Sequence, residues 1–98
     1  MYIVTFLDDA DADLTNAVKW YNEQSDGLGL RFLDVVKKKL EIIRQFPERY
    51  PTRKGKFRET PLRTFPYLIV YTFHTDENII VINSIFHASR KPSKKYRK

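Results

Sequence analysis

The chain has 98 residues and a formal net charge of +6, and 42% of its residues are hydrophobic. It is too apolar for an intrinsically disordered chain and too short for two hydrophobic cores, so we predict one domain over residues 1–98. It has no cysteine, which excludes a disulfide framework and a cysteine-based metal site. No apolar run reaches the roughly 18 residues of a membrane span, and we expect a soluble, cytoplasmic protein with no membrane partner.

The charge is distributed unevenly along the sequence. Residues 1–26 contain six acidic residues and one lysine, a net charge of 1 − 6 = −5. Residues 90–98 contain six basic residues and no acidic one, a net charge of +6. Such a basic C-terminal tail indicates an anionic partner, either nucleic acid or an acidic protein. The alternative interpretation is a solubilising terminus.

The first predicted element is a strand over residues 2–7, which are β-branched, aromatic or aliphatic. It stops at Asp8 and Asp9, either of which can cap the helix that follows. Asp11 and Asp13 suit the positive end of the same helix. We read these four aspartates as helix-start signals rather than as a metal site, because no histidine lies near them in the sequence.

Two amphipathic helices are predicted next. The apolar residues of the first are spaced by three and four, as on one helix face: Leu14, Ala17, Val18 and Tyr21. Gly27 is expected to cap its C-terminus. The second helix, over residues 28–46, has an apolar stripe of Phe32, Val36, Leu40 and Ile43, widened by Leu33, Val35 and Ile42, and ends before Pro47. The short connector predicts an antiparallel helix hairpin.

The C-terminal half reads as strands. Residues 46–55 form a basic loop that contains prolines, and a short stretch follows at residues 57–64. Two nearly continuous apolar runs, residues 67–73 and 79–86, flank a polar turn at residues 75–78. The order β-α-α-β-β-β predicts an α+β sandwich of two layers, with the helix hairpin packed on a largely antiparallel sheet.

A few polar and aromatic residues are candidates for function. Adjacent helical residues point about 100° apart, so Trp20 and Tyr21 do not both face one core; Trp20 either lines a partner groove or covers the seam between the helices. His87 follows the last strand, where it would act as an acid or base, or tie down the tail through a hydrogen bond. Arg90 would serve function, remain a surface charge, or pair with Glu59. Arg58 and Arg63 complete the set.

Four segments in this order resemble the RelE/ParE-type toxins, and the ParE-like, plasmid-stabilisation branch in particular: WYNEQSDGLGLRFLDVV, IIRQFPERYP, FPYLIVY and IFHASRKP. The resemblance covers essentially the whole chain. It implies a bacterial cytoplasmic toxin of a type II toxin–antitoxin system. It further implies a cognate acidic antitoxin that wraps the toxin with a helix and an extended segment, with oligomers formed through that complex.

The resemblance implies two possible activities. ParE-like members poison DNA gyrase without chemistry, whereas RelE-like members cut messenger RNA on the ribosome. RelE-like members usually carry an arginine directly after the aromatic residue that opens the third strand; here Leu68 follows Tyr67, which favours the inhibitor. Residues expected to bind the target or the antitoxin are Trp20, Arg58, Arg63, His87, Arg90, Lys94 and Lys95. A nuclease would use His87, Arg90, Arg63 and Tyr96.

Neither activity requires a cofactor or a metal, and none is predicted. A third hypothesis is a nucleic-acid-binding module that uses only the basic tail, residues 90–98. That module would bind naked nucleic acid with strong salt dependence.

Overall fold

A helix hairpin packs on one face of a five-stranded sheet in this computed structural model, which describes residues 2–89 and 96. The elements are β1 (Ile3–Phe6), α1 (Asp8–Gln24), α2 (Leu28–Gln45), β2 (Thr52–Lys54), β3 (Phe57–Pro61), β4 (Tyr67–His74) and β5 (Ile79–His87). The strand order is β1-β5-β4-β3-β2. Only β1 and β5 run parallel, while the other neighbours are antiparallel. The predicted α+β, two-layer architecture is confirmed.

The short strand β2 was not expected from the sequence, which predicts a loop there. Its three residues are all exposed and include Arg53 and Lys54, so no apolar alternation marks it. The strand forms because Gly55, with φ of +54°, turns the chain back and lets β2 pair with β3. The basic loop therefore contains an edge strand.

The two ends of α1 differ from the caps predicted from the sequence. Leu7 is the N-cap of α1 and makes no side-chain capping bond, so the prediction that Asp8 or Asp9 caps the helix is wrong. Both lie within the first turn, where their charges still favour the positive end of the helix. Ser25, not Gly27, is the C-cap of α1. Gly27 has φ of +82° and is instead the N-cap of α2.

The core lies between the helices and the sheet. Helix residues Ala17, Phe32, Val36 and Ile43 are buried against sheet residues, which include Ile69, Tyr71, Ile80, Ile82 and Ile85. The predicted apolar faces are therefore largely confirmed. Leu40 is the exception in the central stripe, because it is only partly buried at the margin of this cluster.

A bulge in β5 determines which side chains reach the helices. Val70 pairs with Ser84 but the next residue, Tyr71, pairs with Ile82, so Asn83 is an extra residue in β5. An extra residue shifts the alternation of side chains by one position. For this reason Ile82 and Ile85 both belong to the core, although they are three residues apart. His87, two residues further on, follows Ile85 onto the helix-facing side of the sheet.

The loop after α2 is held by two side chains of the sheet. The Tyr71 hydroxyl donates a buried hydrogen bond to the Pro47 carbonyl at 2.7 Å. The Arg58 guanidinium donates to the Tyr50 carbonyl at 2.6 Å and to the Glu48 carbonyl at 3.4 Å. Burial raises the pKa of Tyr71 to about 12. These bonds join residues 47–50 of the loop to the sheet.

We expect Tyr71→Phe to lower the free energy of unfolding by about 1–3 kcal/mol at neutral pH, since it leaves a buried carbonyl without its donor. Because the folded-state pKa is about 12 and the ordinary value is 10, the stabilisation by Tyr71 is complete below about pH 10 and is lost as the pH rises towards 12. Urea unfolding at several pH values measures both effects. Tyr50→Phe, which alters a half-buried hydroxyl, is the control. An equal loss in both variants would contradict the assignment.

Candidate partner-binding cleft

A cleft of about 550 Å³ opens between α1 and the end of the sheet. Its α1 wall consists of residues spaced by three and four, as on one helix face: Asp13, Asn16, Ala17, Trp20 and Tyr21. The opposite wall is formed by the end of β5 and the start of β4, with their flanking residues: Pro66, Tyr67, Ile85, His87 and Ser89. Trp20 and His87, two of the residues singled out from the sequence, therefore lie in one cleft, which we call the Trp20 cleft.

Trp20 and the residue beside it have opposite environments. The Trp20 side chain is 54% exposed, whereas Tyr21 is buried in the core. Tyr21 packs in an aromatic cluster with Phe32, Phe65 and Tyr67, at centroid distances of 5.0 to 6.2 Å. Burial raises the pKa of Tyr21. Tyr21 holds the helix to the sheet, and Trp20 presents apolar surface at the cleft.

His87 is fixed by its neighbours. Its ring packs edge-on against Tyr67, with centroids 4.9 Å apart. Its Nδ1 accepts a hydrogen bond from the Ser89 backbone N–H at 3.1 Å and lies 2.7 Å from the Ser89 hydroxyl. A backbone N–H only donates, so the neutral ring carries its hydrogen on Nε2. In this arrangement the histidine ties down the chain beyond β5 through its hydrogen bonds with Ser89.

Asp13 has a role that the sequence did not indicate. Its carboxylate accepts a hydrogen bond from the Ile85 backbone N–H at 3.1 Å. On that side of β5, the pairing with β1 ends at Ile82, so Asp13 satisfies an amide at the free edge of the strand. Asp13 and Trp20 are seven positions apart, which places both on one face of α1. This spacing is the sequence signal that would have placed both at one cleft.

The two candidate arginines that the structure describes, Arg58 and Arg63, lie elsewhere. Arg58 is half-buried, and its hydrogen bonds to the loop carbonyls give it an internal, structural contact. Arg63 is exposed and lines a separate hollow beside α2 with Leu30 and Asp34. Neither residue lines the Trp20 cleft.

Tyr96 lies against the other face of the sheet. Its ring is 5.1 Å from that of Phe57, its hydroxyl donates a hydrogen bond to the Glu59 carboxylate, and the Lys54 ammonium lies 5.5 Å from its ring centroid. Arg90, Lys94 and Lys95 lie outside the described residues. Of the four residues that a nuclease would use, the three described ones (His87, Arg63 and Tyr96) contact three different parts of the fold.

Residues 2–89 and 96 contain no group of three or more histidine, aspartate or glutamate side chains placed to hold a metal ion. Within the same residues, no helix has the length and apolarity needed to cross a membrane.

Chains from two bacterial toxin–antitoxin systems share this fold. The structure resembles a chain from the chromosomal ParDE toxin–antitoxin system of P. aeruginosa, with a TM-score of 0.77, 16% identity, and coverage of 91% of this chain and 98% of that one. It also resembles a chain of the intact E. coli RelBE toxin–antitoxin complex, with a TM-score of 0.68, 20% identity, and coverage of 92% and 100%. A comparison with curated proteins gives no match.

The sequence itself identifies the family. The family model of the ParE toxin of the type II toxin–antitoxin system parDE matches residues 4–92. The chain belongs to this family and is a toxin of a type II toxin–antitoxin system.

Proposed function

We propose that this toxin acts by binding a protein target, DNA gyrase by the precedent of its family, and that a cognate acidic antitoxin in the bacterial cytoplasm neutralises it. The observation that carries the proposal is the Trp20 cleft. An exposed tryptophan at a preformed cleft, supported from below by a buried aromatic cluster, is a typical anchor of a protein–protein interface. Most of the cleft wall comes from α1, β4 and β5, with Pro66 and Ser89 beside them.

The positions of the polar residues argue against a nuclease. Cleavage of RNA through its 2′-hydroxyl needs a base, an acid and cationic stabilisation in one place. His87 is engaged at Nδ1 by Ser89, and neither Arg63 nor Tyr96 lines its cleft. Leu68 stands where RelE-like chains usually have an arginine. The described residues therefore support recognition rather than proton transfer.

An antitoxin partner is supported by the neighbouring structures. They come from a ParDE system, an intact RelBE complex, and a RelE variant in complex with a RelB peptide. This chain has a basic C-terminal end that an acidic antitoxin would complement. We propose that higher oligomers form through that complex.

We expect Trp20→Ala to weaken target binding by about 30-fold, the loss of about 2 kcal/mol that defines an interface anchor. Phe46→Ala is the matched control for Trp20→Ala, since Phe46 is equally exposed, at 55%, and lies outside the cleft.

His87→Gln should leave growth inhibition largely intact, because glutamine keeps a hydrogen-bonding side chain and no proton transfer is needed.

The measurements are growth inhibition on expression, gyrase supercoiling with purified toxin, and mapping of messenger-RNA ends with translating ribosomes. Inhibition of supercoiling that is lost in Trp20→Ala alone supports the proposal. Codon-positioned cuts that disappear in His87→Gln would instead show a ribosome-dependent endonuclease of the RelE type. Loss of function in Phe46→Ala to the same extent as in Trp20→Ala would show that the cleft is not the binding site.

A further inference from the structure

The two edges of the sheet are protected to different degrees. At one edge, β2 has only three residues, includes Arg53 and Lys54, and has an irregular register with β3. Short length, positive charge and irregularity all oppose the addition of another strand. At the other edge, β1 has the sequence Ile-Val-Thr-Phe, without charge or proline and with a regular register to β5. Among the described residues, no strand lies on the outer side of β1.

The backbone of β1 offers hydrogen bonds to its outer side. The N–H groups of Ile3 and Leu7 donate inward, to the carbonyls of Asn78 and Ile82, both at 3.0 Å. Since successive residues of a strand direct their backbone groups to opposite sides, Val4 and Phe6 direct theirs outward. Two donors and two acceptors are thus in position for another strand. The Ile3 side chain, which is 65% exposed, adds an apolar contact beside them.

Acidic residues flank this edge at both ends. The start of β1 lies beside the turn between β4 and β5, where Asp76 and Glu77 are exposed. The end of β1 leads directly into the first turn of α1, where Asp8, Asp9 and Asp11 are exposed. A strand laid along β1 would therefore have negative charge near both of its ends. Four strand residues span about 13 Å, so the two acidic groups lie roughly that far apart. Each group acts on the nearer end of the incoming chain, within a Debye length of about 8–10 Å.

We propose that the β1 edge binds an extended segment of a partner protein, which adds as a sixth strand and has a short apolar β-forming run with basic residues on both sides. The main-chain groups of Val4 and Phe6 pair with the incoming strand, and the two acidic groups hold its basic ends. The site is separate from the Trp20 cleft and does not depend on the proposed inhibition of gyrase.

The charges also disfavour two other occupants. A second copy of this chain, paired through β1 in antiparallel fashion, would bring the acidic start of α1 in one copy against the acidic turn of the other. Nucleic acid would bring phosphates against the same carboxylates. A basic, extended polypeptide is the occupant that the charges favour.

The test uses the whole protein and two fluorescent, end-blocked peptides of about eight residues. Both have a central Val-Thr-Val-Thr run; one has two lysines at each end, and the other has two glutamates. We expect the lysine peptide to bind and to slow hydrogen exchange at the Val4 and Phe6 amides. Thr5→Lys, which places a charge on the β1 edge, should weaken binding about ten-fold or more. Thr52→Lys, an exposed threonine on the opposite edge strand, should have no effect.

Several results would overturn the proposal. Equal binding of the two peptides would rule out the role of the acidic ends, and the absence of binding would rule out the edge as a docking site. Protection from hydrogen exchange at residues 52–54, instead of at Val4 and Phe6, would show that the peptide adds to the β2 edge. Protection of Val4 and Phe6 that grows with protein concentration, without peptide, would identify a second copy as the occupant. Growth inhibition by the Thr5→Lys variant is measured in parallel, because that assay reports on the proposed inhibition at the Trp20 cleft, whereas peptide binding reports on the β1 edge.

Discussion

Ile43→Ala should lower the free energy of unfolding by about 2–5 kcal/mol, which is a large part of the total stability of a domain of this size. Ile43 is completely buried in the cluster between α2 and the sheet. Removing its outer methyl and methylene groups loses their transfer from water and leaves a cavity that helix and sheet close only in part. Urea unfolding followed by circular dichroism gives the value.

Two residues of the same helix serve as controls for Ile43. Leu40→Ala should have a smaller effect, because Leu40 is only partly buried at the margin of the core. Lys38→Ala should change stability by less than about 0.5 kcal/mol, since Lys38 makes only an exposed ion pair with Asp34. Similar losses for Ile43 and Lys38 would contradict the assignment of the buried face.

Gly29→Ala should destabilise the protein by about 2–3 kcal/mol, even though alanine is the better helix former. A Cβ atom at this position would lie 2.3 Å from the backbone carbonyl oxygen of Val18 and 2.6 Å from the Asn22 side chain. The Gly29 N–H also donates to the Asn22 Oδ1 at 2.8 Å, a bond that separating the helices would break. Thermal unfolding of the variant measures the loss.

Gly27→Ala and Asn22→Ala separate the two causes. Nothing lies within 4 Å of a Cβ at Gly27, so alanine there meets only the strain of φ at +82°, about 1 kcal/mol. Asn22→Ala removes the hydrogen bond but introduces no clash. If Gly29→Ala were no more destabilising than these two variants, close approach of the helices would not be the reason for glycine.

The sequence predicted the elements whose side chains carry a clear period or a long apolar run. Both helices, β1, β4 and β5 appear within one or two residues of the predicted bounds. The stripe of α2 was visible because Phe32, Val36 and Ile43 repeat at helical spacing. By contrast, β2 consists of exposed polar residues, and its pairing with β3 depends on the turn at Gly55 rather than on any local preference.

The site was predicted less completely, for reasons that lie in tertiary structure. Trp20 and His87 were candidates, but only the packing of α1 over β5 places both at one cleft. The bond from Ile85 to Asp13 joins residues 72 positions apart, and local pattern does not reveal such a contact. Arg58 was a candidate for partner binding, and its contacts with the loop carbonyls of Glu48 and Tyr50 are likewise not visible in the sequence.

The parallel pairing of β1 with β5 sets the order in which this toxin completes its fold during synthesis. β1 is made first, yet its neighbour in the sheet begins only at Ile79. Until β5 leaves the ribosome, the nascent chain has a helix hairpin that can form locally and an apolar N-terminal segment with no strand to join. The sheet therefore closes late, and the Trp20 cleft, whose lining includes Ile85 and His87 of β5, does not exist while most of the chain is being translated.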